Sequence, residues 1–162
     1  YYTPTLTGNY ELVHTNQNST DTTYIYYPKT SMAGCYSVTA IDSFLNESNL
    51  ITRFCIDNCS YYELPNVFSP DGDGENDYFK PGPYKFVEKI DLKIFNRWGV
   101  QVFHTEDPDI NWNGTYIENN KPVTDGVYYY ICDVYEQRLT GLEPRTLLGF
   151  IHVFNNKQKT SE

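Results

Sequence analysis

Apolar and polar residues alternate along much of this chain with a period of two, and almost nowhere with the period of a helix. Ile90, Leu92 and Ile94 alternate with Asp91 and Lys93, and Val100 and Val102 flank Gln101. Tyr36, Val38 and Ala40 share one face of their run, as Leu50, Phe54 and Ile56 do of theirs. Such runs, separated by turn residues, predict strands over residues 10–14, 22–27, 35–41, 49–56, 66–69, 78–81, 89–95, 100–105, 127–135 and 149–154. Residues 127–135 stand apart. Tyr128, Tyr130, Cys132 and Val134 share one face, and Val127, Tyr129, Ile131 and Tyr135 share the other. Apolar groups on both faces predict a central strand covered from both sides. The spacing of these short strands predicts an all-β chain folded as antiparallel β-sandwiches.

Turn chemistry changes near Asn58, where Glu63-Leu64-Pro65-Asn66 opens a new segment, and this divides the chain into residues 1–58 and 59–162. The first part is shorter than the about 100 residues of a full sandwich domain. Its run Cys35-Tyr36-Ser37-Val38-Thr39-Ala40-Ile41-Asp42 is followed by a loop holding Asn46-Glu47-Ser48 and then by one more strand. This resembles the later strands of a fibronectin type III or other immunoglobulin-like domain. The resemblance implies a partial domain whose earlier strands precede Tyr1. The chain opens mid-pattern at Tyr1-Tyr2-Thr3-Pro4 without a signal peptide, as a processed protein or an excised fragment would.

Composition narrows the partners. A net charge of -9 disfavours nucleic acid, whose phosphates require clustered Lys and Arg, and disfavours an anionic membrane surface. It suits an extracellular surface and a hard cation. No apolar run approaches the roughly 18 residues of a transmembrane helix. The 16 tyrosines favour strands, where the ring is buried and the hydroxyl reaches water.

Cys35, Cys55, Cys59 and Cys132 form an even set, and disulfides would place the chain outside the cytosol. Cys35 shares a face with Ser37 and Thr39, and Cys55 shares one with Arg53. Both therefore lie on the more polar face of consecutive strands, which neighbouring antiparallel strands would join. That leaves Cys59 with Cys132, a long closure worth about 3–5 kcal/mol in the chain-entropy model. The alternatives are free thiols, or zinc. Zinc is disfavoured because Cys55-x3-Cys59 has neither a second close pair nor a neighbouring His.

Two segments carry candidate chemistry. In Ser69-Pro70-Asp71-Gly72-Asp73-Gly74-Glu75-Asn76-Asp77, the acids Asp71, Asp73, Glu75 and Asp77 take the first, third, fifth and seventh places of a calcium-loop count. The twelfth place is Gly82 rather than a bidentate Glu, and the fifth and sixth are Glu75 and Asn76 rather than Asp-Gly. Two readings stay open: a calcium site, or consecutive Asx and glycine turns with solvated acids. In the second segment, Asn96-Arg97-Trp98-Gly99 is a hairpin connection. There Arg97 and Trp98 form either a recognition knob or a cap over the sheet end.

His14, His104 and His152 are scattered without ligand spacing, and no nucleophile elbow, phosphate loop or metalloprotease motif is present. The chain is expected not to be an enzyme.

Residues from about 61 to 155 resemble the type B C-terminal domain of the type IX secretion system, also described as the gliding motility-associated C-terminal domain of Bacteroidota surface proteins. The matching order begins with Leu64-Pro65-Asn66-Val67-Phe68-Ser69-Pro70-Asp71-Gly72-Asp73-Gly74-Glu75-Asn76-Asp77-Tyr78-Phe79. It continues through Ile94-Phe95-Asn96-Arg97-Trp98-Gly99-Val100-Gln101-Val102-Phe103, the Trp112-Asn113-Gly114 turn, Asp125-Gly126-Val127-Tyr128-Tyr129-Tyr130 and a last strand over 149–154. Asp71 stands where the family often has Asn, and the residues after Phe154 run on beyond the family's usual end.

The resemblance implies an immunoglobulin-like β-sandwich that directs a folded cargo, carried N-terminal to it, through an outer-membrane translocon to the cell surface or the medium. It also implies dependence on a PorP/SprF-type partner protein. The competing expectation is a structural or adhesive extracellular module, with or without calcium.

Overall fold

The computed structural model describes residues 1–18, 20–27, 31–50 and 52–155. Its strands are β1 (Tyr2–Thr3), β2 (Gly34–Tyr36), β3 (Phe54–Ile56), β4 (Val67–Phe68), β5 (Val87–Phe95), β6 (Gln101–Thr105), β7 (Gly126–Arg138) and β8 (Gly141–Val153). No helix occurs among the described residues, so the chain is all-β as its alternation predicts, and the architecture is consistent with an immunoglobulin-like sandwich. It divides into two compact units, Tyr1–Cys59 with Gln137–Glu143, and Ser60–Glu136 with Pro144–Glu162.

The first unit holds a three-stranded antiparallel sheet in the order β1-β2-β3. Cys35 lies directly opposite Cys55, their Cα atoms 4.0 Å apart, and the two are joined in a disulfide as strand parity predicts. Tyr2, Tyr26 and Tyr36 cluster with ring centroids 5.2–6.0 Å apart. Asn58 is 3% exposed and fully engaged. Its Oδ1 accepts from the Met32 and Ala33 amides at 2.8 and 3.0 Å, and its Nδ2 donates to Ser31 Oγ and to the Gln137 carbonyl.

The strands expected over 10–14 and 22–27 do not form; Glu11 makes only an isolated bridge to Tyr2. The runs expected over 35–41 and 49–56 shorten to β2 and β3, with residue 51 outside the described residues. Period-two alternation fits a pleat, but a strand also needs a neighbour that takes its backbone hydrogen bonds in a continuous ladder, and these segments make only scattered ones, such as Glu11 with Tyr2 and Ser48 with Ala40.

The second unit is a five-stranded sheet in the order β4-β8-β7-β5-β6. β5 is antiparallel to β7, with Ile90, Leu92 and Ile94 opposite Val134, Cys132 and Tyr130. β4 is parallel to β8, with Val67 opposite His152. Ile90, Leu92, Ile94, Val102, Tyr128, Cys132, Val134, Ile151 and Val153 bury the inner face. The layer over it is built mostly from irregular segments held by isolated bridges, Phe79 with Trp112 and Thr115 with Pro122. The strand expected over 78–81 is one of these bridges.

Trp112 is the centre of this cover. It is 1% exposed, with Phe68, Phe103, Tyr128 and Phe79 around it at ring-centroid distances of 5.2, 5.6, 6.0 and 6.5 Å. Its Nε1–H donates to the Thr115 carbonyl at 2.8 Å, so the one polar atom of the ring is satisfied.

β8 begins eight residues earlier than alternation predicts, at Gly141 instead of residue 149. The polar Glu143-Pro144-Arg145-Thr146 stretch hides it. Proline is tolerated there because, among the described residues, β4 pairs only with His152 and Val153 and no strand pairs with that edge of β8 along its first half.

The expected Cys59–Cys132 bond is not present. Cys59 is an exposed free thiol. Cys132 points to the inner face of β7 opposite Leu92, is 0% exposed, and burial pushes its thiol up to about 12. Pairing by elimination ignored strand parity, which sends the Cys132 side chain into the core.

Two outcomes follow. One thiol, Cys59, reacts with Ellman's reagent in the native chain and both Cys59 and Cys132 react in denaturant; no native reaction would mean that the two are bonded. Trp112→Ala lowers the stability of the second unit by about 3–5 kcal/mol in urea unfolding, through lost ring burial and an unfilled cavity.

Candidate functional site

The acidic segment leaves the end of β4 and closes on itself: the Ser69 amide donates to the Asn76 carbonyl at 2.9 Å. Inside this loop the carboxylates bind the backbone. Asp77 accepts from the Gly72 amide at Oδ1 (2.7 Å) and from the Gly74 amide at Oδ2 (2.9 Å). Asp71 accepts from the Asp73 amide and Asp73 from the Glu75 amide, as in successive Asx turns. Gly72 and Gly74 lie at φ 87° and 93°, a region that side chains disfavour, and a Cβ at either position would meet open space. Backbone conformation, not crowding, therefore requires glycine at both.

The fold brings Asp71, Asp73 and Asp77 together, with one carboxylate oxygen of each within 4.8 Å of the others; Glu75 lies outside this group. Three hard oxygen donors suit calcium, which takes six to eight. The same three carboxylates also hold the turn. The turns of this loop are formed, and three of the four expected donors, without Glu75, lie close enough to share a cation.

Arg97 and Trp98 sit at the tip connecting β5 to β6. Asn96 shapes it, its Oδ1 accepting from the Trp98 and Val100 amides, both at 3.0 Å, while Gly99 takes φ 77°. The tip holds the Trp98 ring 72% exposed, and the Arg97 guanidinium lies 4.5 Å from the ring centroid. A cation over an indole face keeps both side chains ordered in water, which lowers the entropy lost on contact with a partner. Beside the tip, a cleft of about 380 Å³ is lined by Asn96, Arg97 and Trp98 and by residues 124–129. Asp125 is fixed there by Asn155, whose amide and Nδ2 donate to its Oδ1 at 2.9 and 3.0 Å.

The histidines are each engaged locally. His14 stacks on Tyr24, His104 faces Asp91 at 3.0 Å, and His152 lies between the rings of Phe150 and Phe154. The hydrogen bond from Lys93, with that of His104, holds the Asp91 carboxyl below its ordinary range. A wider open groove of about 500 Å³ runs along Ser60–Leu64 and includes Tyr130, Arg145 and Leu147. Arg145 Nε donates to Glu136 at 2.7 Å and neutralises a carboxylate that is 2% exposed.

Sequence reasoning missed the outward face of β8, because residues 141–148 do not read as a strand. One signal pointed to it: the apolar residues on both faces of 127–135 need cover, and β7 is given cover only on the Cys132 side within this unit.

The family model of the CHU_C type IX secretion signal domain matches residues 62–153. No curated protein and no solved structure matches the chain. The match begins at the buried Tyr62, ends with the last residue of β8, and takes in the acidic loop, the Arg97–Trp98 tip, the Trp112 cover and every strand of the five-stranded sheet. It spans more than half of the chain, which therefore belongs to the family of type IX secretion signal domains.

Proposed function

We propose that residues 59–162 are a type B C-terminal sorting signal that routes an N-terminal cargo through the outer-membrane translocon to the cell surface or the medium, with a PorP/SprF-type protein as partner. Family membership already implies export and an interaction with the secretion system. The observation that carries the finer reading is the tip of the β5–β6 hairpin. An exposed indole and a guanidinium are held in fixed geometry by a turn that gains nothing from them: Trp98 contributes no burial to the core. Such a pair fits a contact residue better than a fold determinant. In this reading the domain acts by being bound and performs no catalysis. The acidic loop serves it structurally, by fixing the segment between β4 and Phe79.

A fluorescent protein carrying this chain at its C-terminus is exported from a host with a type IX system, and export stops in the same host without the PorP/SprF-type partner. Periplasmic retention of the folded fusion in the complete host would overturn the proposal. Trp98→Ala and Arg97→Ala each cut export about fivefold or more, as loss of an interface anchor does. Their thermal midpoints stay near that of the parent, because exposed substitutions cost within about 0.5 kcal/mol. Asp77→Ala behaves in the opposite way. It strands the Gly72 and Gly74 amides, lowers stability by about 1–2 kcal/mol, and reduces export only as far as the domain unfolds.

A further inference from the structure

The five-stranded sheet has two faces of unequal fate. On β7, Tyr128, Cys132 and Val134 are buried inward while Val127, Tyr129 and Ile131 point out, 37%, 52% and 44% exposed. On the adjacent β8, Ile151 and Val153 are buried while Leu148 and Phe150 are 72% and 45% exposed, and Phe154 just beyond is 52% exposed. These six aliphatic and aromatic side chains share one open sheet face with His152, whose ring lies between those of Phe150 and Phe154. Contiguous apolar patches of more than a few hundred Å² on soluble proteins mark binding surfaces.

Two observations say what covers this face. The first is charge. Next to the patch, Lys93 and His104 both face Asp91, at 2.6 and 3.0 Å, and Asp133 accepts from Thr146, so these groups satisfy one another. A highly charged ligand such as nucleic acid or an anionic polysaccharide has little to pair with here. Arg97 and Lys89 are exceptions: among the described residues no carboxylate lies within ion-pair distance of either. Lys89 lies 4.7 Å over the Tyr135 ring, and Arg97 is the one of the two that lines the cleft. The second is continuity. The cleft lined by Arg97 and Trp98 is also lined by Val127 and Tyr129, two members of the patch, so the hairpin tip and the open face form one surface.

We propose that the outer face of β7 and β8 is the docking surface for a protein of the export machinery, one that presents an apolar surface with a carboxylate at its border to meet Arg97. This rests on the sorting-signal reading and names where its partner sits. A second copy of the chain is the poorer occupant, since two chains each of net charge -9 repel on approach. Aromatic-rich, charge-depleted centres with an Arg at the border are the usual composition of such interfaces.

The test is export of the fluorescent fusion carrying the full chain. Leu148→Lys and Arg97→Glu each lower export about tenfold or more, the loss expected when one central contact fails, while Arg97→Lys keeps most of it. Circular dichroism and thermal midpoint must match the parent; where Leu148→Lys fails that check, Phe150→Gln replaces it. If the parent is exported and the folded Leu148→Lys or Phe150→Gln variant is exported equally well, the docking surface is wrong, and the sorting reading stands on the parent's dependence on its partner. If the parent itself is not exported, the sorting reading falls and this inference falls with it. If the purified chain sediments as a dimer that Leu148→Lys separates, the face belongs to a second copy and the proposal is overturned.

Discussion

A single sheet cannot bury its own inner face, and in the second unit the burial of Trp112 solves that problem. Among the described residues of this unit no second sheet lies over β4 to β8. The cover comes from segments with little regular hydrogen bonding of their own, and these need a large, rigid side chain to hold them down. Trp112 supplies it, packing against Phe68, Phe79, Phe103 and Tyr128 at once. Its backbone exchanges two hydrogen bonds with Phe79, at 2.8 and 3.2 Å. Through Phe68 and Phe79 the same contact reaches both ends of the acidic loop. The geometry of Asp71, Asp73 and Asp77 is therefore secured by a ring that touches none of them.

The sheet was legible where alternation and turn chemistry agreed. Ile90, Leu92 and Ile94 announce β5, and Asn96 to Gly99 announce the turn after it, because each local choice points to the same hairpin. The first half of β8 was not legible. Its proline and charges argue for a loop, and only the absence of a neighbour on one side makes them compatible with a strand. In the first unit, alternation over 10–14 and 22–27 promised strands that the backbone does not form, since pairing is a property of two segments and not of one.

The candidate site divides along the same line. Local sequence gave the Asx turns, the hairpin tip and the exposed Arg97–Trp98 pair, all of which depend on residues within a few positions of one another. It could not say that Trp112, which sits in a turn beside Asn113 and Gly114, is a core residue. Nor could it say that Cys132 faces Leu92 instead of a second cysteine. The both-sided apolarity of 127–135 was visible throughout, and it is read differently once the cover on the second side is seen to be missing.

The parallel pairing of Val67 with His152 has a kinetic side. β4 precedes the acidic loop and β8 closes the sheet, so their contact joins segments distant in the chain and carries a large loop-closure entropy. Contacts of that kind slow folding relative to local ones. The outward face of β7 and β8 needs less: the two strands are consecutive and joined across Leu139 and Thr140, so pairing of that hairpin is enough to display it. A surface assembled this way reports on the state of the chain as well as on its identity: an unfolded chain contains every residue of the patch but does not display it. Any receptor that reads that face thereby distinguishes a paired β7–β8 hairpin from an unfolded chain, with no separate inspection step.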